Sequence, residues 1–302
     1  MIPFLKMQAL MNDFVVLDYR DGRIMPPPDL LGAMTHRRLG IGCDQVVCLL
    51  KPRDPTADCQ MRIFNAPDGS EAQTCGNAAR CVALMLMEES GKGTARIESN
   101  AYVMSCWAVG KDENDESIHI AVDMGIPYTE SDPFLPLSDL LPDAYKEKYP
   151  EFQPLEPEQA LFIDMGNPHC VVFVKTCADI PVRALGSAIE KSPIFSEGTN
   201  VEFIEILDPQ NLRMRVWERG AGETPACGSG ACASVVAAIL AEHTARHCTV
   251  HLDGGTLDIL WREQDEHVIM TGSAKTVFYG KIDPDVLWDI KTDLDLLSHN
   301  NF

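Results

Sequence analysis

The sequence predicts an α+β fold built from two similar halves, and three observations support this prediction. Short apolar runs typical of strands alternate with a few helical segments along the chain. Three short motifs recur in the same order, at offsets of 155, 156 and 152 residues. Two runs of small residues, headed by Cys75 and Cys227, predict matching helix starts. A nearly constant offset favours a duplicated domain, because its period is far too long for a solenoid.

The repeated motifs also predict where the two halves begin and end. We expect a first half over residues 1–122, completed by a returning strand near 275–283, a second half over 123–274, and a tail over 284–302. The motif pairs are 12–16 with 167–172, 42–46 with 198–201, and 61–64 plus 75–76 with 214–217 plus 227–228.

The elements of the first half follow from apolar periodicity and turn residues. Strands are predicted over 14–18, 46–50 and 61–64, and a helix over 29–39. A second helix runs from Cys75 to Gly91, a plausible C-cap. Residues 95–108 and 117–124 are predicted strands on either side of a polar turn.

The second half opens with a segment over 132–157 that is rich in proline and acidic residues, which predicts a surface excursion with one short helix. A helix is predicted over 182–190 and another after Cys227, and the tail is expected to form only one or two helical turns. Strands are predicted over 161–165, 170–174, 201–207 and 212–217, with three or four more between 249 and about 281.

Composition and charge narrow the possible partners. Of 302 residues, 45% are apolar and 23% charged, as in an ordinary globular protein, and the formal net charge is −20 at pH 7. This charge disfavours nucleic acid and anionic membranes as partners, but it says little about a small zwitterionic substrate. The longest apolar run, 231–241, is far shorter than the roughly 20 residues that cross a bilayer. No secretory signal is expected at the N-terminus.

The cysteines favour a reducing compartment. Eleven of them are scattered through the chain, an odd number at low density, so we expect free thiols and a cytoplasmic protein. Cys81 and Cys232 lie inside the predicted small-residue helices and are expected to pack in the core. No dinucleotide site is predicted, because Gly220-Ala221-Gly222 lacks the third glycine of a dinucleotide motif. No metal site is predicted either, because zinc-ligand spacing is missing at Cys43, Cys48, Cys59, Cys106, Cys170, Cys177 and Cys248.

The segment 218–233 predicts an anion site beside an activated cysteine. A helix start with small side chains leaves its first N–H groups within reach of a ligand. The helix dipole favours the thiolate of a cysteine placed there, here Cys227. A buried cysteine at a tight turn is the simpler alternative.

The second cysteine changes the predicted chemistry. Two halves that face a common cleft would place Cys75 and Cys227 on opposite sides of a bound molecule. Inverting a carbon stereocentre requires removal of a proton from one face and return of a proton to the other. A thiolate and a thiol are a matched base and acid for this reaction, and they exchange roles in the reverse direction. Two helix N-termini at the cleft would stabilise charge on a substrate carboxylate.

At these motifs the sequence resembles diaminopimelate epimerase, a family of cofactor-independent amino-acid epimerases, from about residue 4 to 280. The resemblance implies a mostly antiparallel or mixed sheet or barrel around a central helix in each half, with the active site in the interdomain cleft. It implies interconversion of LL- and meso-2,6-diaminopimelate, in lysine and peptidoglycan precursor synthesis, by a homodimer. It rests on Asn12-Asp13-Phe14, Gly42-Cys43-Asp44-Gln45, Asn65, Asp68-Gly69-Ser70-Glu71, Cys75-Gly76-Asn77, Gly166-Asn167-Pro168-His169, Thr199-Asn200-Val201, Glu218-Arg219-Gly220 and Ala226-Cys227-Gly228-Ser229-Gly230.

The resemblance also implies the role of each site residue. Cys75 and Cys227 are the two acid/base residues, and Glu218 and His169 help to polarise them. Arg219 suits the distal end of the substrate, because its guanidinium can bind a carboxylate bidentately. The other implied contacts are Gly76, Asn77, Gly228 and Ser229 to the reacting carboxylate, Asn65, Asn167 and Asn200 to the distal end, and Asn12 and Gln45 along the site.

Two other functions remain open on the sequence alone. The chain departs from the family pattern at Met11, where glycine is usual, and at Pro67, which looks like a one-residue insertion; Gln8 and Ala78 also differ. These changes motivate a racemase of another amino acid, such as histidine. The third possibility is a catalytically silent, redox-responsive binding protein whose site cysteines form a disulfide.

Three polar residues near the site also have plainer interpretations. His169 is either a polarising residue or a structural histidine. Glu71 and Glu223 each precede a site cysteine by four residues. We expect both carboxylates to fix loops through hydrogen bonds rather than to take part in catalysis.

Overall fold

The computed structural model describes residues 1–72, 74–100, 102–111, 118–141, 144–155 and 159–299. The chain forms two compact units. The first comprises Met1–Val122 together with Ser273–Phe302, and the second comprises Asp123–Gly272.

The described residues form strands and helices in the following order. The strands are β1 (Ile2–Ala9), β2 (Asn12–Asp18), β3 (Gln45–Leu50), β4 (Cys59–Asn65), β5 (Glu71–Ala72), β6 (Thr94–Glu98), β7 (Val103–Lys111), β8 (Ile118–Asp123), β9 (Phe134–Pro136), β10 (Gln159–Asp164), β11 (Pro168–Phe173), β12 (Asn200–Asp208), β13 (Asn211–Glu218), β14 (Gly222–Thr224), β15 (His247–Leu252), β16 (Gly255–Trp261) and β17 (Val268–Ile282). The helices are α1 (Pro28–Thr35), α2 (Gly76–Ser90), α3 (Leu137–Leu140), α4 (Ala144–Lys148), α5 (Val182–Glu190), α6 (Gly228–Leu240) and α7 (Pro284–His299).

Eight strands of the first unit form a closed ring. β1 pairs antiparallel with β2, β2 pairs parallel with β3, and β3 pairs antiparallel with β4. The ring continues through parallel β4–β6 and antiparallel β6–β7 and β7–β8. β17 closes it by pairing with β8 and with β1. Because each ring strand has two neighbours, this barrel has no open edge.

The first barrel wraps around α2. This helix is buried from Gly76 to Met87 and packs against β1, β2, β6 and β7. Its many small residues suit the limited space inside a barrel. Gly91 ends it in the left-handed conformation, with φ of 68°, which glycine adopts without steric cost. A separate cluster packs α1 and α7 against β3, with Leu31, Val46 and Leu287 fully buried.

The second unit repeats this topology. The pairs β10–β11, β12–β13, β15–β16 and β16–β17 are antiparallel, while β11–β12 and β13–β15 are parallel. The chain after β8 completes the ring, since Met124 and Gly125 bond to Val268 and Tyr128 bonds to Asp164. The central helix is α6, buried from Gly230 to Ala238. The predicted α+β fold of two pseudo-symmetric halves is thereby confirmed.

Several predicted elements differ in extent from the structure. The helix predicted over 29–39 ends at Thr35. The strand predicted over 95–108 is a hairpin, because Ser99 bonds to Tyr102 and turns the chain between β6 and β7. The described residues of the segment 132–157 form β9 and two short helices, α3 and α4, where one helix was predicted. The tail forms the 16-residue α7, because Leu287 and Ile290 have a core to pack against.

Candidate active site

Each unit places a cysteine at the N-cap of its central helix. Cys75 Sγ accepts a hydrogen bond from the Ala78 N–H at 3.5 Å. Cys227 Sγ accepts one from the Gly230 N–H at 3.4 Å. The two thiols therefore occupy equivalent positions in the duplicated fold, and both act as helix caps.

The capping geometry determines which backbone donors remain at each helix start. The first N–H groups of a helix have no acceptor within the helix, and a capping side chain takes up the third of them here. The first two belong to Gly76 and Asn77 in α2, and to Gly228 and Ser229 in α6. Such N–H groups, at the positive end of the helix dipole, are suited to bind an anion such as a carboxylate.

Predicted site residues of the first unit form two amide pairs, one between β3 and β4 and one between β2 and α2. Gln45 Nε2 donates to Asn65 Oδ1 at 2.8 Å across the β3–β4 pair. Asn77 Nδ2 donates to Asn12 Oδ1 at 3.4 Å, and Asn12 Nδ2 donates to Asp44 Oδ2 at 3.1 Å. These bonds hold Asn12 and Asn77 next to Cys75.

A cluster of charged side chains lies next to the Asn12–Asn77 pair. The Asp13 carboxylate forms ion pairs with Lys6 at 2.6 Å and with Arg37 at 2.8 Å. Arg37 also forms an ion pair with Asp44 at 2.7 Å. Burial acts to raise the pKa of Asp13, but the hydrogen bonds from Arg37 and Lys6 outweigh it and lower the pKa well below its usual value. Asp13 therefore stays ionised, with Lys6 and Arg37 as its counter-charges.

In the second unit, Asn200 positions the chain around Arg219. Asn200 Oδ1 accepts from the Arg219 backbone N–H at 3.0 Å, while its Nδ2 donates to the Pro168 carbonyl at 2.9 Å. The Arg219 guanidinium is exposed and donates to the Glu197 carbonyl at 3.2 Å. Among the described residues it has no carboxylate partner, so its charge is available to one.

Two carboxylates act on Cys227. Glu218 is half-buried, accepts a hydrogen bond from the Thr224 hydroxyl and bonds to Cys227, and burial raises its pKa. Burial is also the main reason that the pKa of Cys227 lies well above 9.0, and the charges of Glu218 and Glu202 raise it further. Burial and the two acidic neighbours therefore oppose the helix dipole, which favours the thiolate of Cys227.

His169 is fully buried between Glu202 and the predicted site residue Asn167. Its Nδ1 lies 2.7 Å from Glu202 Oε1, and its Nε2 lies 3.1 Å from Asn167 Oδ1. Asn167 Nδ2 donates to Ser229 Oγ at 3.3 Å, and Ser229 Oγ lies 3.6 Å from Cys227 Sγ. The structure thus joins Asn167, His169 and Ser229 into one hydrogen-bonded group next to the thiol.

The matches to known proteins agree with this geometry. The diaminopimelate epimerase family model matches residues 4–129 and 161–277. A diaminopimelate epimerase of Pelotomaculum thermopropionicum is 43% identical over 286 residues, which cover 92% of this chain and 98% of that relative. One of Methanococcus maripaludis is 39% identical over 289 residues, covering 93% and 100%.

The chain belongs to the diaminopimelate epimerase family. The resemblance inferred from the sequence motifs is confirmed. A solved structure of a predicted epimerase from Pseudomonas aeruginosa shares the fold, with a TM-score of 0.70 at 16% identity over 93% of this chain and 99% of that one.

Several residues around the site of this diaminopimelate epimerase family member were not expected from the sequence. Glu202, Asp44 and Arg80 each bond to a predicted site residue. The sequence did contain an indication that Glu202 has a buried partner. It is an acidic residue within the apolar run 201–204, and such a residue is seldom buried unless it is paired. The same indication applies to Arg80, a charged residue within a helix of small residues.

Glu71 and Glu223 form equivalent ion pairs in the two units, with Arg62 at 2.7 Å and Arg215 at 2.6 Å. These bonds tie β5 to β4 and β14 to β13. Within the described part of the chain, no group of three or more His, Cys, Asp or Glu side chains is arranged to hold a metal ion. No helix among the described residues is long and apolar enough to cross a membrane.

Proposed function

We propose that the protein interconverts LL- and meso-2,6-diaminopimelate by proton transfer at one α-carbon, with Cys75 and Cys227 as the two acid/base residues and no cofactor. The observation that supports this most strongly is the pair of capping thiols, one at the start of each buried central helix. Family membership supplies the substrate. The product would serve lysine and peptidoglycan precursor synthesis.

The proton transfer needs one sulfur on each face of the α-carbon. One sulfur, as thiolate, removes the α-proton, and the electron pair of the C–H bond moves onto the carbon and its carboxylate. The other sulfur, as thiol, delivers its proton to the opposite face. Because burial and two acidic neighbours raise the pKa of Cys227, we assign it the acid role when the α-hydrogen faces Cys75. The reverse reaction exchanges the two roles.

The helix starts stabilise the charge that forms during transfer. The N–H groups of Gly76, Asn77, Gly228 and Ser229 bind the α-carboxylate, which carries more negative charge once the α-proton has left. Preorganised backbone donors do not need to reorient as that charge develops. This lowers the barrier without requiring a resident cation.

The distal end of diaminopimelate carries a second amine and a second carboxylate. The exposed Arg219 guanidinium binds that carboxylate. The Arg219 backbone N–H donates to Asn200 Oδ1, and this hydrogen bond fixes the backbone position from which the guanidinium extends. Asn65 and Asn167 add amide contacts, while Asn12 and Gln45 line the site. A substrate that lacks the distal carboxylate leaves Arg219 unpaired and binds more weakly.

We also propose that the protein works in the cytoplasm and as a homodimer. No disulfide joins any of the eleven cysteines, all of which lie in the described part of the chain, and this suits a reducing compartment. On β17, Val277 and Tyr279 are 54% and 71% exposed, and a second copy could cover them. Light scattering of the purified protein across a concentration range would measure its mass.

The test of the reaction is α-hydrogen exchange in deuterated water, with fully reduced protein and no added cofactor. LL-diaminopimelate should yield meso product that carries solvent deuterium, while unreacted LL substrate keeps its hydrogen early in the reaction. Absence of exchange with both isomers would reject the proposal. A panel of free amino acids tests the alternative. If exchange occurred only with another amino acid, such as histidine, that amino acid would be the substrate instead of diaminopimelate.

A further inference from the structure

Glu190 is a half-buried acid to which the proposed reaction assigns no role. It is the last residue of α5. Its Oε2 accepts a hydrogen bond from Trp217 Nε1 at 2.7 Å, and its Oε1 accepts one from the Gly220 N–H at 3.2 Å. An indole and a peptide N–H can only donate, so the direction of both bonds is fixed. One carboxyl group therefore holds the chain on both sides of Arg219.

The backbone at Arg219 is held by two side chains in succession. The Arg219 N–H donates to Asn200 Oδ1 at 3.0 Å, and the next N–H, that of Gly220, donates to Glu190. Gly220 adopts φ of 76°, in the exposed turn that follows β13. An exposed turn has few packing contacts of its own, so these two hydrogen bonds restrict where the Arg219 side chain begins.

The Arg219 side chain passes close to Glu190 without pairing with it. A Cβ atom on Gly198 would lie 3.3 Å from Arg219 Cδ and 3.4 Å from Glu190 Cγ, so the methylene groups of both side chains lie near one point of the backbone. The guanidinium donates to the Glu197 carbonyl at 3.2 Å. Both oxygens of Glu190 are already occupied by other donors, and Arg219 forms no ion pair within the described part of the chain.

Packing of α5 against β13 gives Glu190 a fixed base. A Cβ atom on Gly186 would lie 2.4 Å from Trp217 Cβ, so the helix approaches the strand more closely than any residue with a side chain would permit. Leu185 and Ile189 of the same helix are fully buried in the core of the second unit. Glu190 therefore connects the exposed turn to a helix that is held in the core.

We propose that Glu190 is a positioning residue for recognition of the distal carboxylate of the substrate. It holds the backbone on both sides of Arg219, which keeps the guanidinium in place. Because its own oxygens accept from Trp217 and Gly220, it also leaves that guanidinium without a carboxylate partner in the protein. The inference rests on the proposed contact between Arg219 and the substrate.

A positioning role and a purely electrostatic role predict opposite effects of Glu190→Gln. A negative charge near Arg219 repels a substrate carboxylate, so removal of the charge alone would strengthen binding. The glutamine side chain, however, has one oxygen and one NH₂ group where glutamate has two oxygens. It can accept from Trp217 or from Gly220 in the present geometry, and its NH₂ group would face the other N–H. A positioning role therefore predicts weaker binding.

Steady-state kinetics with LL-diaminopimelate separate the two roles. In Glu190→Gln we expect KM to rise about 10-fold and kcat to stay within about twofold, because the distal contact is the same in the ground state and the transition state. An unchanged or lower KM, or a fall in kcat at unchanged KM, would overturn the inference. Glu205→Gln is the matched control, since Glu205 also accepts from a backbone N–H of this unit, that of Cys177 at 2.8 Å. It should leave both constants unchanged.

The effect of Glu190 has to pass through Arg219. In an Arg219→Met background, adding Glu190→Gln should lower kcat/KM by less than about twofold, against about 10-fold in the wild type. A full additional loss would show that Glu190 acts on another part of the site. If Glu190→Gln folds poorly, Trp217→Phe removes one donor, keeps an aromatic ring and should raise KM in the same direction. An unchanged KM in folded Trp217→Phe would count against the inference.

Binding at Arg219 can also be followed without turnover, by ¹⁵N NMR of arginine-labelled protein with Arg219→Lys used for assignment. Diaminopimelate, added as its equilibrium mixture of isomers, should shift the Arg219 Nε–H signal, with half-saturation at about 10-fold higher concentration in Glu190→Gln than in the wild type. Equal half-saturation in the two proteins would overturn the inference. A wild-type signal that does not respond to diaminopimelate would instead count against the proposed function, so the two failures are distinguishable.

Discussion

Arg80 Nη2 donates to Asn77 Oδ1 at 2.7 Å, inside a helix where Arg80 is completely buried. Arg80 Nε also donates to the Ser273 carbonyl at 3.2 Å. Arginine has only donors, so this contact fixes the orientation of the Asn77 amide and leaves its NH₂ group for Asn12. A side chain that carries no implied contact to substrate thus sets the orientation of two that do.

Replacement of Arg80 by Met should therefore weaken both the fold and substrate binding. The buried Asn77 Oδ1 loses its donor, which costs about 1–3 kcal/mol, the part-buried Ser273 carbonyl loses one as well, and the Asn77 amide becomes free to turn. We expect KM to rise more than kcat falls, measured beside urea denaturation. Arg80→Lys, which keeps the charge, should restore part of the stability. Unchanged KM in a folded Arg80→Met variant would separate Arg80 from the site.

Serine at either capping cysteine should abolish most turnover and leave the fold intact. Serine is a good N-cap and can accept the same N–H, so stability should change by less than about 1 kcal/mol. Its hydroxyl is a much poorer acid and base near neutral pH, so kcat should fall by at least about 100-fold. Cys248→Ser, away from the helix starts, is the control. Full activity of Cys75→Ser or Cys227→Ser would rule out the two-thiol mechanism.

Removing the Glu218 charge should make Cys227 easier to ionise. Burial and then Glu218 are the main causes that raise the pKa of Cys227. In Glu218→Gln the thiolate no longer meets that negative charge, so its pKa falls. Alkylation of Cys227 should therefore begin at lower pH than in the wild type. Glu223→Gln, in the same β13–β14 hairpin but paired with Arg215, should leave the alkylation profile unchanged. A shift to higher pH in Glu218→Gln would show that its hydrogen bond to Cys227 dominates.

The departure at Met11 has a measurable effect on stability. Met11 is exposed and adopts φ of 64°, and its neighbour Leu10 adopts 53°, in the turn between β1 and β2. A residue with a side chain is strained there by roughly 1 kcal/mol, while glycine is not. Met11→Gly should raise the free energy of unfolding by about 0.5–1 kcal/mol, whereas Met11→Ala, which keeps the Cβ, should not. Equal stability of the two variants would contradict this account.

The sequence predicted the parts of the site that depend on local chemistry. Cys75 and Cys227 were identified because small residues after a cysteine predict an accessible helix start, and Gly91 because a helix of that length needs a C-cap. The duplication was visible in the motif offsets, and the strand pairing of the two barrels confirms it. Family-level roles were assigned by resemblance, and those assignments remain predictions for each residue.

What the sequence did not reveal depends on long-range packing. β1 was missed because Ile2–Ala9 alternates weakly, and its strand character comes from pairing with β2 and β17. The extent of α7 depends on a core that it meets only in the folded unit. Glu202 and Arg80 become significant only once the structure places them beside His169 and Asn77.

β17 has a consequence for incomplete chains. Its first residues pair with β16, and residues from Lys275 onward pair with β1. A polypeptide that stopped after Gly272 would include the whole second unit, yet β1 would lose its partner on that side. The resulting free edge, Ile2–Ala9, is apolar and able to pair with another chain. Premature termination near the end of the gene should therefore give an aggregating product rather than a shortened enzyme.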